Sequence, residues 1–405
     1  MSSRVSRVAF LTTSFPLRKG SSSGVFVQRL VKNLPSYLDV TVLTPADVSS
    51  ERPTVEPGYR IHCFRYAPWK WQVLAHQPGG IPVALKHNKG IRWLVPVFLC
   101  SMFVECLRLA SRVDIIHANW SINGAIAGVV GKLLRKPVVT TLRGEDVTRA
   151  KDSLLYRWLL ALCLRSNRKL VAVSKAIADQ LMKDYPHFQE KIAFLPNGID
   201  SELLERSRSI EGKETDKPFK IVTVGSLIPR KGIDVIINAF LYLADRQNFH
   251  LTIIGAGQEL ESLEALVEHN MLSEQVEFIG SVSPEKVAEY LSVADAFILA
   301  SYSEGRPNVI LESFGVGLPV IASDIDGVRE LVEEGKTGFR FEPGNSRELA
   351  KQIEMLERDP EVQMRFSRNG REFIRENMLL WTNVGQRYAN LYQEAIEHKT
   401  DVCAD

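Results

Sequence analysis

The chain has 405 residues, 45% of them hydrophobic and 24% charged, a composition typical of a globular protein with room for two cores. Its 50 Lys and Arg against 48 Asp and Glu leave a formal charge of +2, which argues against a nucleic-acid partner. The five cysteines follow neither zinc-site nor disulfide spacing, so a reducing cytoplasm is expected. No apolar stretch reaches the roughly 18 residues of a membrane span, which predicts a soluble or peripheral protein.

In the first half of the sequence, short β-branched runs alternate with longer amphipathic segments. This alternation is typical of βαβ units around a parallel sheet. The N-terminal apolar run is too short for a signal peptide and is interpreted as the first strand. The predicted strands are residues 8–11, 40–43, 114–117, 138–142, 170–173 and 192–195.

Residues 69–113 have a different composition, with three of the six tryptophans, several lysines and the apolar run LVPVFLCSMFV. Tryptophan and lysine together suit a surface that meets an acceptor or a lipid headgroup layer. The alternative is a loop followed by a buried helix, since apolar runs of this length usually pack inside a protein.

A polar, charged segment at residues 206–218 lacks large apolar side chains and is interpreted as a domain linker. The strand pattern restarts after it, which predicts an α/β protein of two Rossmann-like, doubly wound domains facing a central cleft. The predicted domains are 1–205 and 219–380, with a helix packed back on the first domain and a tail in 381–405. The second set of predicted strands is residues 221–224, 251–254, 276–279, 296–299 and 319–322.

The segment SEGRPNVILESFGVGLPVIAS contains the strongest site signal, because Glu304 follows a predicted strand and Glu312 lies on the helix after it. Pro307 suits the first turn of that helix, whose free N–H groups and dipole would bind a diphosphate. One carboxylate would accept hydrogen bonds from the sugar and the other from a ribose. The alternative is an ordinary helix with a charged first turn and a surface Glu. The apolar flanks of Glu312 disfavour this alternative, because they would partly bury its carboxylate.

A second strand, turn and helix read VTVGSLIPRKGID. Gly225 would let the backbone approach a ligand, and Arg230 with Lys231 would place two cations near a leaving nucleoside diphosphate. An ordinary solvated Arg and Lys pair is the alternative.

Three signals are weaker. Gly24, in a Gly and Ser rich loop before a helix, would admit a phosphate or sugar, or lie in a flexible loop. His117 would contact a sugar, although a lone His is more often a structural group. Asp324 and Asp326 form a D-x-D that is interpreted as a turn, so no metal is predicted.

Several features of the sequence together resemble glycosyltransferase family four. They are the Glu304 and Glu312 pair and the segments GSLIPRKG, VAVSKAIADQL, LPNGID and DIDGVRELVEEGKTGFRFEPG. The resemblance covers nearly the whole chain. It implies the GT-B fold and retaining transfer, without metal or other cofactor, from a UDP- or GDP-sugar to a saccharide or lipid-linked acceptor. It also implies a cytoplasmic enzyme of polysaccharide or glycolipid biosynthesis, with room for peripheral contact at the inner face of the membrane.

The resemblance assigns roles to individual residues. Glu304 would contact the donor sugar with Lys231 and Arg230 as its catalytic partners, and Glu312 would bind the ribose. Ser226 stands where the family usually has Arg, and Arg230 is the candidate replacement. The resemblance also implies donor contacts from the backbone of Gly305, Arg306, Asn308 and Val309. The sequence pattern itself adds Gly225 and Gly24 as donor contacts, and Val282, after the strand VEFIG, as a residue near the base.

On the acceptor side, Arg143 in TTLRGEDV replaces the His of many family members, which points to an anionic acceptor or donor. Asp146 keeps the acidic position of the motif, and His117 is the third candidate on this side. Rival functions are a sugar-nucleotide epimerase, an α-glucan phosphorylase and an inactive sugar-binding protein. No segment points to the lysine that a phosphorylase needs for pyridoxal phosphate.

Overall fold

The computed structural model describes residues 6–17, 24–47, 55–76, 81, 84–85, 88–206 and 218–397, and the chain divides into two compact units. The first unit is Met1–Asn197 with Trp381–Asp405, and the second is Gly198–Leu380. Of the linker predicted at 206–218, residues 207–217 lie outside the described part. Residues 198–205, which the sequence analysis assigned to the first domain, belong to the second unit because Ile199 and Leu203 are buried in its core.

An eight-stranded sheet organises the first unit, in the order β3-β4-β2-β1-β5-β6-β7-β8. All neighbours are parallel except β3 and β4. Alternate residues of β1 face opposite layers, with Val8 and Phe10 in one core and Ala9 and Leu11 in another, so both faces are covered. The strands are β1 (Ser6–Leu11), β2 (Leu38–Pro45), β3 (Val55–Glu56), β4 (Tyr59–Phe64), β5 (Ile115–Asn119), β6 (Val138–Leu142), β7 (Lys169–Ala172) and β8 (Ile192–Phe194).

Helices on both faces of this sheet include the C-terminal helix. A Cβ on Gly385 of that helix would collide with the carbonyl oxygen of Asn33, so glycine permits the helix to lie directly on the chain after the first helix. The helices are α1 (Val25–Lys32), α2 (Leu94–Ala110), α3 (Ser121–Leu134), α4 (Glu145–Asp152), α5 (Leu154–Ser166), α6 (Lys175–Asp184) and the C-terminal helix α15 (Trp381–Glu397).

The second unit is built on a six-stranded parallel sheet in the order β11-β10-β9-β12-β13-β14. Ile221 and Val222, adjacent in β9, belong to different cores, so this sheet is also covered on both faces. Strand β9 thereby supplies a rigid base for the loop that follows it. The strands are β9 (Phe219–Val224), β10 (Phe249–Ile254), β11 (Val276–Gly280), β12 (Ala296–Leu299), β13 (Val320–Ser323) and β14 (Gly338–Phe341).

Two helices of the second unit begin at side chains that cap them. Asn345 accepts a hydrogen bond from the Glu348 amide, and Asp359 accepts from the amides of Glu361 and Val362. The helices are α7 (Ser201–Glu205), α8 (Ile233–Ala239), α9 (Leu260–His269), α10 (Pro284–Val293), α11 (Asn308–Val316), α12 (Asp326–Arg329), α13 (Ser346–Arg358) and α14 (Pro360–Glu376).

All eleven strands predicted from the sequence are present, and the predicted two-domain Rossmann-like α/β architecture is confirmed. The apolar run after the tryptophans is helix α2, with Phe98, Met102 and Cys106 buried and Val97 and Val104 exposed. Within the described ranges, no helix combines the length and apolarity that a membrane crossing requires. The described cysteines are all free thiols.

Candidate active site

The loops after β9 and β10 are held together by glycines. The Gly225 amide donates to the Ile254 carbonyl over 2.9 Å, and a Cβ on Gly255, at φ +151°, would collide with the Gly225 carbonyl. A Cβ on Gly225 itself would meet only the Lys231 side chain, at 3.7 Å or more. The backbone at Gly225 therefore has room on the side where Lys231 lies, and the ligand contact predicted there stays a prediction.

Lys231 and Glu304 form the centre of the candidate active site. Lys231, at the end of a short 3-10 helix, donates from Nζ to Glu304 Oε1 over 2.5 Å. Ser301 Oγ donates to the same oxygen over 2.7 Å, and Ser301 is fixed in turn because its carbonyl accepts from Ser323 Oγ. The Lys231 side chain is 17% exposed and the Glu304 side chain is 10% exposed, so the carboxylate is fixed in one orientation and little of it faces solvent.

Arg230 supplies a second cation beside the same carboxylate. Its Nη1 donates to the Ser303 carbonyl over 2.8 Å and lies 4.0 Å from Glu304 Oε2, while half of the side chain is exposed. Ser226 is an exposed residue of the loop before it. The structure thus places the Arg230 guanidinium beside Glu304, and its role as a replacement for the family arginine stays a prediction.

The turn after Glu304 leads into α11, whose N-terminal cap is Pro307 and whose first residue is Asn308. No side chain caps this helix, so its first amides keep the positive dipole end that favours an anion. Gly327 supports the turn, because a Cβ there would collide with the carbonyl oxygen of Glu304. Gly305, Val309 and Glu312 are partly buried along the turn and helix.

The sequence analysis assigned the backbone of Arg306 to the donor, and the side chain of this residue has a structural role. Its Nη1 forms an ion pair with Glu330 Oε1 at 2.8 Å, and only 4% of the side chain is exposed. Burial lowers the pKa of Arg306, and the Glu330 carboxylate opposes this shift. The guanidinium anchors the turn to the loop after α12, which leaves the backbone of Arg306 as the part available to a donor.

The expected base-binding region lies after β11. Gly280 has φ +76° and nothing within 4 Å of an added Cβ, so open space adjoins its backbone. Val282 is partly buried against the core beside it. The predicted base contact would therefore be made in the open space beside Gly280.

The D-x-D pattern is a structural turn. Asp324 Oδ1 accepts from Arg329 Nε at 2.8 Å and from Arg340 Nη1 at 2.9 Å, and the Arg329 hydrogen bond lowers the pKa of Asp324. Within the described ranges, no group of three His, Cys, Asp or Glu side chains is arranged to hold a metal.

In the first unit, His117 and Gly24, both candidate ligand contacts in the sequence analysis, have structural roles. His117 is fully buried in β5, with Nδ1 bonded to the Tyr392 hydroxyl at 2.5 Å and Nε2 to Thr141 Oγ1 at 2.8 Å. Neither ring nitrogen is left for a sugar, so the structure favours the structural interpretation of His117. Gly24 begins α1 at φ +72°, and a Cβ there would collide with the Ser14 carbonyl, which explains this glycine without a ligand.

Asp146 organises the loops around Arg143. Its Oδ1 accepts from the Ser121 amide at the start of α3 over 2.7 Å, and its Oδ2 accepts from the Arg143 amide over 3.2 Å. Asp146 is 4% exposed and holds two loop ends in place. Arg143 itself is partly exposed.

Sequence reasoning missed four residues that hold these sites: Ser301, Gly327, Asn119 and Asn197. Gly327 lies in the DIDGVRE segment quoted above, so its motif was available as a signal. Ser301 precedes Glu304 by three residues at the end of β12, which is the position where a strand exit places polar side chains. Asn197 lies in the quoted segment LPNGID, so its motif was available as well, whereas Asn119 has no such local signal.

The structure has two doubly wound sheets, and Lys231, Arg230 and Glu304 lie together beyond the strand ends of the second sheet. This combination defines the class of GT-B glycosyltransferases. The model of the "Glycosyltransferase Family 4" domain matches residues 23–203, and that of "Glycosyl transferases group 1" matches residues 205–373. The chain belongs to glycosyltransferase family four.

Individual relatives are similar over most or part of the chain. An uncharacterized glycosyltransferase of Methanocaldococcus jannaschii, MJ1178, is 27% identical over 76% of this chain and 83% of its own length. The amylovoran biosynthesis glycosyltransferase AmsK of Erwinia amylovora is 28% identical over 58% of this chain and 60% of its own. The structure of Anabaena HepE in complex with UDP and glucose superimposes with a TM-score of 0.73 at 19% identity, covering 96% of this chain and all of that one.

Proposed function

We propose that the protein is a retaining hexosyltransferase that moves a sugar from a UDP- or GDP-sugar to a saccharide or lipid-linked acceptor, in the cytoplasm and without a metal ion. The observation that supports this most is the constrained Lys231–Glu304 pair with Arg230 beside it and the uncapped start of α11 following it. The UDP and glucose of the HepE complex support a uridine nucleotide. The AmsK name supports a role in polysaccharide biosynthesis.

In the proposed reaction, the bond from the anomeric carbon to the diphosphate oxygen breaks and its electron pair leaves with the diphosphate. Lys231, Arg230 and the helix dipole stabilise the negative charge that develops there. The acceptor hydroxyl attacks from the same face and its proton passes to the departing phosphate oxygen, so no protein nucleophile is needed. Glu304 orients the sugar and stabilises its oxocarbenium-like charge.

Donor binding is tested by thermal stabilisation with a panel of UDP-, GDP- and ADP-sugars in the presence of EDTA. We expect a rise in melting temperature for one nucleotide sugar, because a ligand of the folded state stabilises it by mass action. Glu312→Ala should lose most of that shift if Glu312 binds the ribose, whereas Glu261→Ala, on exposed α9, should keep it. A shift that disappears with EDTA would contradict metal-free binding, and no shift for any donor would contradict the proposal.

Contact with a membrane surface is a second part of the proposal, and it rests on the tryptophan patch, defined as Trp69, Trp71, Trp93 and their basic neighbours. The three tryptophans are 39%, 46% and 54% exposed, and the rings of Trp71 and Trp93 lie 5.6 Å apart. The two segments that form the patch, 65–74 and 88–97, contain no Asp or Glu. Such a surface complements anionic lipid headgroups. Its exposed basic residues are Arg65, Lys70, Lys89 and Arg92.

The membrane proposal predicts flotation with vesicles that contain about one-third phosphatidylglycerol, and little flotation with phosphatidylcholine alone, since the attraction is partly electrostatic. The double variant Trp71→Ser/Trp93→Ser should float at least fivefold less. Trp158→Ser is the matched control, because Trp158 is 62% exposed on α5, outside the patch. Equal flotation of wild type and double variant, or a loss confined to Trp158→Ser, would show that this surface does not bind the membrane.

A further inference from the structure

Arg143 follows β6 and is held by an aromatic ring and two amides. Its guanidinium carbon lies 3.9 Å from the centre of the Phe26 ring. Asn119 Oδ1 accepts from Nη2 at 2.9 Å and from Nε at 3.3 Å, and Asn197 Oδ1 accepts from Nη1 at 3.1 Å. A guanidinium has five N–H groups, so two remain for another partner.

The hydrogen bonds of the Arg143 guanidinium go to neutral amides, and the charge of Asp146 acts on it without a described ion pair. None of the ion pairs in the described ranges includes its guanidinium, and both carboxylate oxygens of nearby Asp146 accept backbone amides. Burial lowers the pKa of Arg143 to about 10, so the side chain remains a cation at neutral pH. A partly desolvated cation whose hydrogen bonds go to neutral amides is stabilised further when an anion completes the site.

Unsatisfied polar atoms lie beside this cation. Asn119 is fully buried and its Nδ2 has no hydrogen-bond partner, although the Oδ1 of the same amide accepts from Arg143. Ser121 Oγ and both amide atoms of Asn123, in the first turn of α3, are buried without partners as well. Buried polar groups are nearly always bonded, so the unsatisfied Asn119 amide beside the Arg143 guanidinium indicates a ligand site.

The residue between these groups has a strained backbone. Trp120 adopts φ 68° and ψ 155°, a region that is nearly restricted to glycine and costs about 1–3 kcal/mol. Strain of this kind is found mostly at functional sites. Here it joins the end of β5, where Asn119 lies, to the first turn of α3.

We propose that Arg143 and Asn119 bind the carboxylate of an acidic sugar, so that one substrate of the enzyme is a hexuronate. Two parallel N–H donors of a guanidinium match a carboxylate, and the Asn119 amide adds a third donor. This inference rests on the proposed transferase function. The hexuronate is either the sugar of the nucleotide donor or the terminal residue of the acceptor, and the same chemistry serves both.

Binding is measured by calorimetry with matched pairs of neutral and acidic ligands. UDP-glucuronate against UDP-glucose tests the donor, and methyl β-glucuronide against methyl β-glucoside tests the acceptor. In the wild type we expect the acidic member of one pair to bind at least tenfold more tightly. Arg143→Gln should abolish that preference. Lys132→Gln, exposed on the last turn of α3, is the control and should keep it.

Asn119→Asp provides an independent test that does not remove the arginine. The new carboxylate would pair with Arg143 in place of the ligand, so the acidic preference should disappear and the fold should be kept. Preference in the UDP-sugar pair assigns the hexuronate to the donor, and preference in the glycoside pair assigns it to the acceptor. Equal affinities within both pairs, or an acidic preference that survives in Arg143→Gln and Asn119→Asp, would overturn the proposal. Failure of all nucleotide sugars to bind, with the glucuronide preference intact, would overturn the transferase function instead.

Discussion

Glu304→Gln is expected to lower the rate of sugar transfer by about two to three orders of magnitude while the protein stays folded. The substitution keeps the volume of the side chain and the acceptor oxygen for Ser301 Oγ, but it removes the negative charge beside Lys231. Loss of one preorganised charge in an active site typically has an effect of this size. The measurement is the turnover rate with the donor that the thermal panel identifies, against Glu261→Gln as control.

The division of this loss between binding and turnover identifies what Glu304 does. If it stabilises the reacting sugar, kcat falls and the donor Kd changes less than tenfold. If it acts by holding Lys231 in place, donor affinity falls together with kcat. Wild-type turnover in Glu304→Gln would contradict both roles and would leave the ion pair as a structural contact.

A double-mutant cycle that combines Glu304→Gln with Lys231→Met tests whether the two side chains act together in catalysis. The two side chains are in direct contact at 2.5 Å, so their effects should not add. We expect the double variant to be about as slow as the slower single variant, because either change already disrupts the same cluster. Fully additive losses would mean that Lys231 and Glu304 act on separate parts of the substrate.

Most of the fold was predictable because its strands are buried on both faces. Strands such as β1 and β12 are continuous apolar runs, and these are the clearest signal in a single sequence. The sequence analysis missed β3, β4 and β14. In β4, the sequence YRIHCF places Arg60 and His62 on an exposed face beside the edge strand β3, so the apolar run is interrupted. In β14, Arg340 interrupts a run of only four residues.

The local part of the candidate site was also predictable, and the part built by distant contacts was not. Arg230, Lys231 and Glu304 each follow a strand, and parallel strands bring their carboxyl ends to one edge. The inward turn of Arg306 depends on Glu330, which is 24 residues away, and no local pattern records that pairing. The burial of His117 likewise depends on Tyr392, which is 275 residues further along the chain.

The stability of the first unit is expected to fall on acidification because of His117. Burial, with a smaller effect from the positive charge of Arg143, holds the pKa of His117 well below 6.5. The charged and titratable groups that face His117 are Arg143, Tyr388 and Tyr392. Burial raises the pKa of both tyrosines, so they are neutral at acidic pH. The folded unit therefore keeps a neutral imidazole, whereas the unfolded chain takes up a proton below pH 6.5.

The sign and size follow from proton linkage. Because the unfolded state binds more protons, stability is full above pH 6.5 and is lost as the pH falls toward the folded-state pKa. Between pH 7.5 and 5.5 one such histidine contributes a loss on the order of 1 kcal/mol, because the unfolded chain takes up its proton in this range. For a unit of this size the melting temperature should drop by roughly 2–4 °C. His76, whose pKa is also lowered by burial, adds to the loss.

Calorimetric melting of wild type, His117→Asn and His269→Asn at pH 7.5 and 5.5 tests this. The asparagine at 117 is expected to lower stability at both pH values, because the Tyr392 and Thr141 hydroxyls lose their present partner. The informative quantity is therefore the difference in stability between the two pH values. It should shrink by on the order of 1 kcal/mol in His117→Asn and stay unchanged in His269→Asn, whose side chain is exposed. An unchanged difference in His117→Asn would mean that His117 takes up its proton in the folded state as well, and that the Tyr392 and Thr141 contacts accommodate the imidazolium.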